Sequence, residues 1–147
     1  MYQKILVTTD GSKLSKNATT SAIALAALCG AELVVVKVVP RYPQSYFEGG
    51  IVLSVAEVQK VEKHWTEAAQ AVVDAVKAAA AAKGVTAKAL TVKSDVVSEA
   101  ILAAAKKQQC DLIVMASHGR KGIQRLLLGS ETQHVLTHAT VPVLVLK

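Results

Sequence analysis

The chain has few aromatic residues, with one tryptophan, three tyrosines and one phenylalanine among 147 positions. Proteins that bind single-stranded nucleic acid usually stack bases on several aromatic side chains, and this sequence offers no such platform. Its net charge of +6 at pH 7 comes from lysines and arginines scattered along the whole chain, not from a basic stripe on one helix. The sequence therefore does not favour nucleic acid as the main partner.

Cysteines and long apolar runs are also scarce. Cys29 and Cys110 are the only cysteines, and their isolated positions indicate two buried thiols, not a disulfide or metal framework. No run reaches the ~18 consecutive apolar residues of a membrane helix. Met1–Lys4 leads straight into a β-branched run without the features of a signal peptide. We therefore expect a cytoplasmic protein with no membrane span.

Short apolar runs alternate with amphipathic segments along the chain. Runs that are apolar at nearly every position are typical of parallel strands buried on both faces. The predicted strands are Lys4–Thr9, Glu32–Val39, Val85–Val92, Asp111–Ala116 and Val141–Leu146. Helices are predicted at Ser12–Cys29, from about Ser54 to Gly84, from a cap at Ser94 or Asp95 to about Gln109, and at Glu131–His138.

This order of elements predicts one α/β domain over residues 1–147, with an open, doubly wound, parallel five-stranded sheet of Rossmann-like type and helices on both faces. In such sheets, ligands bind outside the carboxyl ends of the strands, where the winding direction reverses. Asp10, Val38 and the segment Met115–Gly119 all follow or end predicted strands. We expect them at this ligand-binding edge.

Two helices carry more detailed predictions. In the longest helix, the apolar period places Ala68, Val72 and Ala79 on the inward face. In the last helix, Ser130 and Gln133 have the spacing of a capping box, so Ser130 is predicted to cap it.

A glycine-bracketed basic loop precedes the last helix. The segment runs from His118-Gly119 to Gly129-Ser130, contains Arg120, Lys121 and Arg125, and has no acidic residue. Glycines let backbone N–H groups approach an anion closely, and the first N–H groups of a helix supply further donors. A nucleotide phosphate is the ligand that this pattern predicts.

Other polar and aromatic residues are harder to assign. His134 and His138 have the spacing of a metal-binding pair, but no third ligand is evident, so packing is the preferred interpretation. Tyr42, Tyr46 and Phe47 lie in a predicted loop without an obvious core role. We expect these rings to cover a bound base or to contact a partner chain.

No catalytic constellation stands out. The sequence contains neither a recognisable Ser-His-acid pattern nor a complete Walker A motif. Phosphoryl transfer also needs a residue that positions the nucleophile, and none is apparent. We expect a protein that is at most a slow ATPase.

Four separated segments resemble the universal stress protein family. They are Ile5–Ser12, Ser117–Gly119, Gly129-Ser130 and Val141–Val145, and the resemblance spans essentially the whole chain. It implies the adenine nucleotide alpha hydrolase-like form of the Rossmann fold and a homodimer formed through the last strand. That strand is expected at the sheet edge, where unpaired backbone groups favour pairing with a second copy.

The ATP-binding branch of this family has the pattern glycine, two residues, glycine, nine residues, glycine and a small hydroxyl residue. Gly119, Gly129 and Ser130 fit this pattern, whereas position 116 is alanine where the pattern has its first glycine. Alanine does not adopt positive φ cheaply. Affinity is expected to fall if the position needs positive φ or touches the ribose. If it simply ends the strand, binding is expected to survive, which is the interpretation we favour.

The resemblance implies a role for each candidate site residue. Asp10 would accept hydrogen bonds from the ribose or base, Thr8 and Val38 would line the adenine slot, and Met115 and Ala116 would flank the sugar. The residues implied around the phosphates are His118, Gly119, Arg120, Gly129, Ser130, Glu131 and Thr132. Mg²⁺ or Mn²⁺ would bridge phosphate oxygens and would not occupy a protein cage.

The leading hypothesis is an adenine-nucleotide-binding protein of the stress response, in which ATP, ADP or AMP changes the surface offered to an unknown protein partner. The alternatives are a nucleotide-free homodimeric interaction module of the same fold and a slow ATPase. Ala116 keeps the nucleotide-free alternative open.

Overall fold

The computed structural model describes residues 1–43, 53–118 and 128–147. Within these ranges, strands and helices alternate along the chain close to the predicted bounds. The strands are β1 (Lys4–Thr8), β2 (Glu32–Val39), β3 (Ala87–Lys93), β4 (Leu112–Ala116) and β5 (Val143–Leu146). The helices are α1 (Lys13–Cys29), α2 (Val55–Ala82), α3 (Val97–Lys107) and α4 (Ser130–His138).

The described strands form one parallel sheet in the order β3-β2-β1-β4-β5. The central strand β1 pairs with β2 on one side and β4 on the other, so that Val7 lies between Val35 and Val114. The winding direction reverses between β1 and β4. The doubly wound sheet predicted from the sequence is confirmed, and β5 forms one of its edges.

Alternate residues of each inner strand point to opposite faces of the sheet, and each face carries its own buried apolar cluster. Val7 packs with Ala22 of α1 and Val73 of α2 on one face. Leu6 packs with Ile101 of α3 on the other face. Because both faces are covered, the inner strands β1, β2 and β4 are apolar at nearly every position, as the sequence predicted.

The inward face of α2 differs from the prediction. Ala68 and Ala79 are exposed, and the fully buried residues of this helix are Ala69, Val73 and Ala80. A run of alanines presents side chains of one size in every direction, so periodicity alone does not define its buried face. Contact with β2 and β3 decides the face instead.

The two cysteines are free, and their burial differs. Cys110 is buried, whereas Cys29 is only half-buried, so the prediction of two buried thiols holds for Cys110 alone. Burial raises the pKa of the Cys110 thiol to about 11. No helix in the described ranges is long and apolar enough to span a bilayer.

We predict that Cys110 resists alkylation in the folded protein. The thiolate is the reactive form, and raising the pKa from 9.0 to about 11 lowers its fraction roughly 100-fold near neutral pH. Iodoacetamide treatment at pH 8 followed by peptide mass spectrometry measures this. Cys110 is expected to react only after unfolding in urea, and fast labelling of the native protein would contradict its burial.

Candidate functional site

The start of α4 is joined directly to the carboxyl end of β4. The hydroxyl of the buried Thr132 donates a hydrogen bond to the Ala116 carbonyl at 3.0 Å. The Gly129 N–H donates to the Ser117 carbonyl at 2.8 Å. The two halves of the predicted phosphate motif therefore meet beside the point where the sheet reverses its winding.

Gly129 permits this close approach. A Cβ built at this position would lie 3.3 Å from the Cα of His118 and 3.5 Å from the Ser117 carbonyl oxygen. The φ angle of Gly129 is −58°, so the residue adopts a backbone conformation open to any amino acid. Space, and not positive φ, is what requires glycine here.

The cap of α4 corrects a prediction. Gly129, not Ser130, is the N-cap residue, and no side chain caps the helix. The Gln133 side chain donates to the Leu128 carbonyl at 2.8 Å and does not complete a capping box. With Gly129 bonded to Ser117, the helix begins at Ser130, one residue closer to the N-terminus than predicted. As a result, the first backbone N–H groups of α4 are not occupied by a capping side chain.

Asp10 holds the turn after β1. Its Oδ1 accepts a hydrogen bond from the Ser12 N–H at 2.9 Å, which is an Asx turn. The buried Thr9 hydroxyl accepts from the Gly11 N–H at 3.2 Å and lies 3.1 Å from the Ser15 hydroxyl. This network supports the turn at the carboxyl edge of the sheet.

Lys37 lies beside the candidate site, and no sequence motif singled it out. Its ammonium donates a hydrogen bond to the Asp10 carbonyl at 3.3 Å, which places a positive charge at the carboxyl edge of the sheet. The signal was a single lysine near the end of the otherwise apolar strand β2. A charged residue inside such a run is unexpected unless its head group reaches the strand end.

The remaining candidates at the strand ends differ in burial. Thr8, the last residue of β1, and Val38 of β2 are half-buried. Met115 is buried and packs with the apolar cluster between the sheet and helices α3 and α4. Ala116 ends β4, and its φ is not among the positive values of the described residues.

His118 lies at the end of the described part of this motif. Its Nδ1 is 3.2 Å from the hydroxyl of the buried Ser117. Gly119, Arg120, Lys121 and Arg125 lie outside the described residues.

Glu131 is exposed and points toward a second helix. Its Oε2 accepts a hydrogen bond from the backbone N–H of Ser98 at 2.6 Å. Ser98 is buried in the first turn of α3. The Glu131 carboxylate therefore bonds α3, although Glu131 belongs to the first turn of α4.

Tyr42 makes packing contacts within the protein. Its ring stacks on Trp65 of α2 with centroids 6.0 Å apart, and its N–H donates to Glu62 at 2.9 Å. The Glu62 carboxylate also pairs with Lys93 at 2.8 Å. Tyr42 thus has a packing role that the sequence did not indicate. Tyr46 and Phe47 lie outside the described residues.

The two histidines of α4 pack against each other. Their rings stack with centroids 4.1 Å apart, and the Nδ1 of His138 donates to the His134 carbonyl at 2.9 Å. Among the described residues, no group of three or more histidine, cysteine or acidic side chains is placed to hold a metal ion.

These features define an α/β domain with a doubly wound parallel sheet and a polar edge at the reversal point. The chain belongs to the universal stress protein family, whose model matches residues 1–147. It is 33% identical to Universal stress protein MJ0531 of Methanocaldococcus jannaschii over 147 residues, which is 100% of this chain and 83% of the relative.

Solved structures agree with this assignment. A universal stress protein family member from Burkholderia pseudomallei is 28% identical, with a TM-score of 0.76 over 99% of this chain and 96% of that one. A universal stress protein in complex with cAMP is also 28% identical, with a TM-score of 0.72 over 99% of this chain and 97% of that one.

We predict that Thr132→Val lowers the free energy of unfolding by about 1 kcal/mol, because it leaves the Ala116 carbonyl without its hydroxyl donor in a buried site. Chemical denaturation measures the change. Thr137→Val is the matched control, since Thr137 lies on an exposed part of the same helix and bonds only the Gln133 carbonyl. Equal losses in the two variants would contradict a special role for Thr132.

Proposed function

We propose that this chain binds an adenine nucleotide, ATP or AMP, at the carboxyl edge of the sheet and acts as a nucleotide-dependent regulatory module in the stress response. The observation that carries the proposal is the attachment of α4 to β4 through Gly129 and Thr132. It brings backbone donors that no side chain caps to the reversal point of the sheet. The related protein in complex with cAMP supports the same ligand class.

In this proposal, the phosphates lie against the start of α4. The N–H groups of Ser130, Glu131 and Thr132 donate hydrogen bonds to them, and the positive end of the helix dipole adds attraction. The Gly129 N–H stays bonded to the Ser117 carbonyl. His118, Gly119 and Arg120 complete the phosphate region. A Mg²⁺ or Mn²⁺ ion bound with the nucleotide would be held by phosphate oxygens and water and would neutralise phosphate charge, because hard cations prefer oxygen ligands and retain water.

The nucleoside lies across the ends of β1, β2 and β4. Asp10 accepts hydrogen bonds from the ribose, and Thr8 and Val38 line the adenine slot. Since the Met115 side chain is buried, it contributes the packing behind the sugar and not a contact in the slot. Lys37 contributes a positive charge beside the Asp10 backbone.

Ala116 is compatible with binding. It is the last residue of β4 and has no positive φ, so its methyl group causes no backbone strain. This supports the nucleotide-binding proposal over the nucleotide-free module. The nucleotide-free module has the same fold, and mass spectrometry of nucleotide released from purified protein distinguishes it from the proposal.

We further propose that the protein acts in the cytoplasm as a homodimer through β5. This strand is at the edge of the sheet, and a second copy can pair with its outer backbone groups. Leu136 and Leu144 are 40% and 38% exposed, which is high for large apolar side chains. A second copy would cover them.

We predict that freshly purified protein releases an adenine nucleotide on denaturation. Mass spectrometry of the released material detects it.

We also predict that Gly129→Arg abolishes ATP binding, as measured by calorimetry. The arginine side chain would fill the space beside His118, where even a Cβ is tightly placed. Thr137→Arg adds the same charge to an exposed position of α4 and is expected to keep affinity. Unchanged affinity in Gly129→Arg would show that the site lies elsewhere.

We predict that Leu144→Lys converts the dimer to a monomer in light-scattering measurements, because a charge on an edge strand opposes pairing. Leu28→Lys is the control, since Leu28 is 86% exposed at the end of α1 and is not part of the edge strand β5. A monomeric wild-type protein, or a dimer that survives Leu144→Lys, would contradict the proposed interface.

A further inference from the structure

The N-terminus of α3 lacks a cap of its own. Val96 is the N-cap residue and provides no side-chain hydrogen bond. The two residues predicted to cap this helix bond elsewhere. The Ser94 hydroxyl bonds the N–H and carbonyl of Val96, and Asp95 accepts from the Arg41 N–H at 3.2 Å. The N–H groups in the first turn of α3 are therefore left to water or to an acceptor from another part of the chain.

Glu131 supplies that acceptor from the first turn of α4. Its bond of 2.6 Å to the Ser98 N–H is short, as charge-assisted hydrogen bonds are. Ser98 is 2% exposed, so its N–H would be poorly hydrated without this partner. The carboxylate also lies between the positive ends of two neighbouring helices and favours their approach.

The direction of the Glu131 carboxylate matters for an anion site at the start of α4. A carboxylate in the first turn of α4 that faced the proposed phosphates would repel them and compete for the same N–H groups. Its bond to Ser98 directs the negative charge toward α3. One side chain thus fixes the first turn of α4 against α3 and keeps its charge engaged away from the ligand.

We propose that Glu131 is a positioning residue for nucleotide binding: its carboxylate, held by the Ser98 N–H, sets the orientation of the backbone donors at the start of α4. This inference rests on the proposed function. It assigns the Glu131 side chain to α3 and leaves only its backbone N–H for the phosphates.

The test compares Glu131→Ala with Glu131→Gln. Both variants remove the same charge, but the glutamine side-chain oxygen can still accept from Ser98. We expect ATP to bind Glu131→Ala about tenfold more weakly than Glu131→Gln, which corresponds to the loss of roughly one hydrogen bond. Equal dissociation constants in the two variants would overturn the inference.

Asp111→Ala is the matched control for a general loss of stability. The Asp111 carboxylate also accepts backbone hydrogen bonds, from Gln3 at 2.9 Å and Lys4 at 3.1 Å, but at the opposite end of the sheet. This variant is expected to unfold more easily and to bind ATP with wild-type affinity. If Asp111→Ala weakened ATP binding as much as Glu131→Ala does, the effect of Glu131 would be explained by lost stability alone.

A second measurement separates this inference from the proposed function. Hydrogen exchange of the backbone amides needs no nucleotide. In Glu131→Ala, the amides of Ser98 and of the first turn of α4 are expected to exchange faster, with recovery in Glu131→Gln. Wild-type exchange rates in Glu131→Ala would overturn the positioning role even if ATP binds. If exchange changes as expected but Gly129→Arg binds ATP normally, the proposed site is wrong and the helix contact stands.

Discussion

The site depends on the attachment of α4 to the end of β4. Two hydrogen bonds, from Gly129 to the Ser117 carbonyl and from Thr132 to the Ala116 carbonyl, make this attachment. The Ala116 acceptor is the last residue of the fully buried strand β4, and Ser117 directly follows it and bonds Leu146 of β5, so the sheet fixes both positions. The two bonds hold the start of α4 in place relative to the sheet. Such preorganisation lowers the entropic cost that anion binding would have.

Charge is distributed around this attachment in a consistent way. The start of α4 and the Lys37 ammonium are positive, and they lie at the carboxyl edge of the sheet. The nearby acids are engaged with backbone groups: Asp10 accepts from Ser12, and Glu131 accepts from Ser98. In the proposed site, a phosphate would therefore meet donors, while the Asp10 and Glu131 carboxylates bond the turn after β1 and the start of α3.

Much of this architecture follows from local pattern. Apolar runs predicted four of the described strands and a loose alternation predicted β3. Glycine and serine signals located most helix ends, because these signals act over a few residues. The errors have a common cause. The buried face of α2, the cap of α4 and the stacking of Tyr42 on Trp65 all depend on contacts between segments distant in sequence. Single-sequence periodicity carries no information on such contacts.

From its residues alone, this chain specifies a doubly wound parallel sheet, because strands buried on both faces must be apolar throughout and the intervening helices amphipathic. Its motifs likewise specify that a glycine-bracketed basic segment leads into the last helix. Folding in three dimensions decided which groups meet at the edge: Lys37 reaches Asp10, and Glu131 bonds α3 instead of facing its own helix. Sequence spacing does not reveal the partners of these long side chains, because the partners become neighbours only when the strands assemble on both sides of β1.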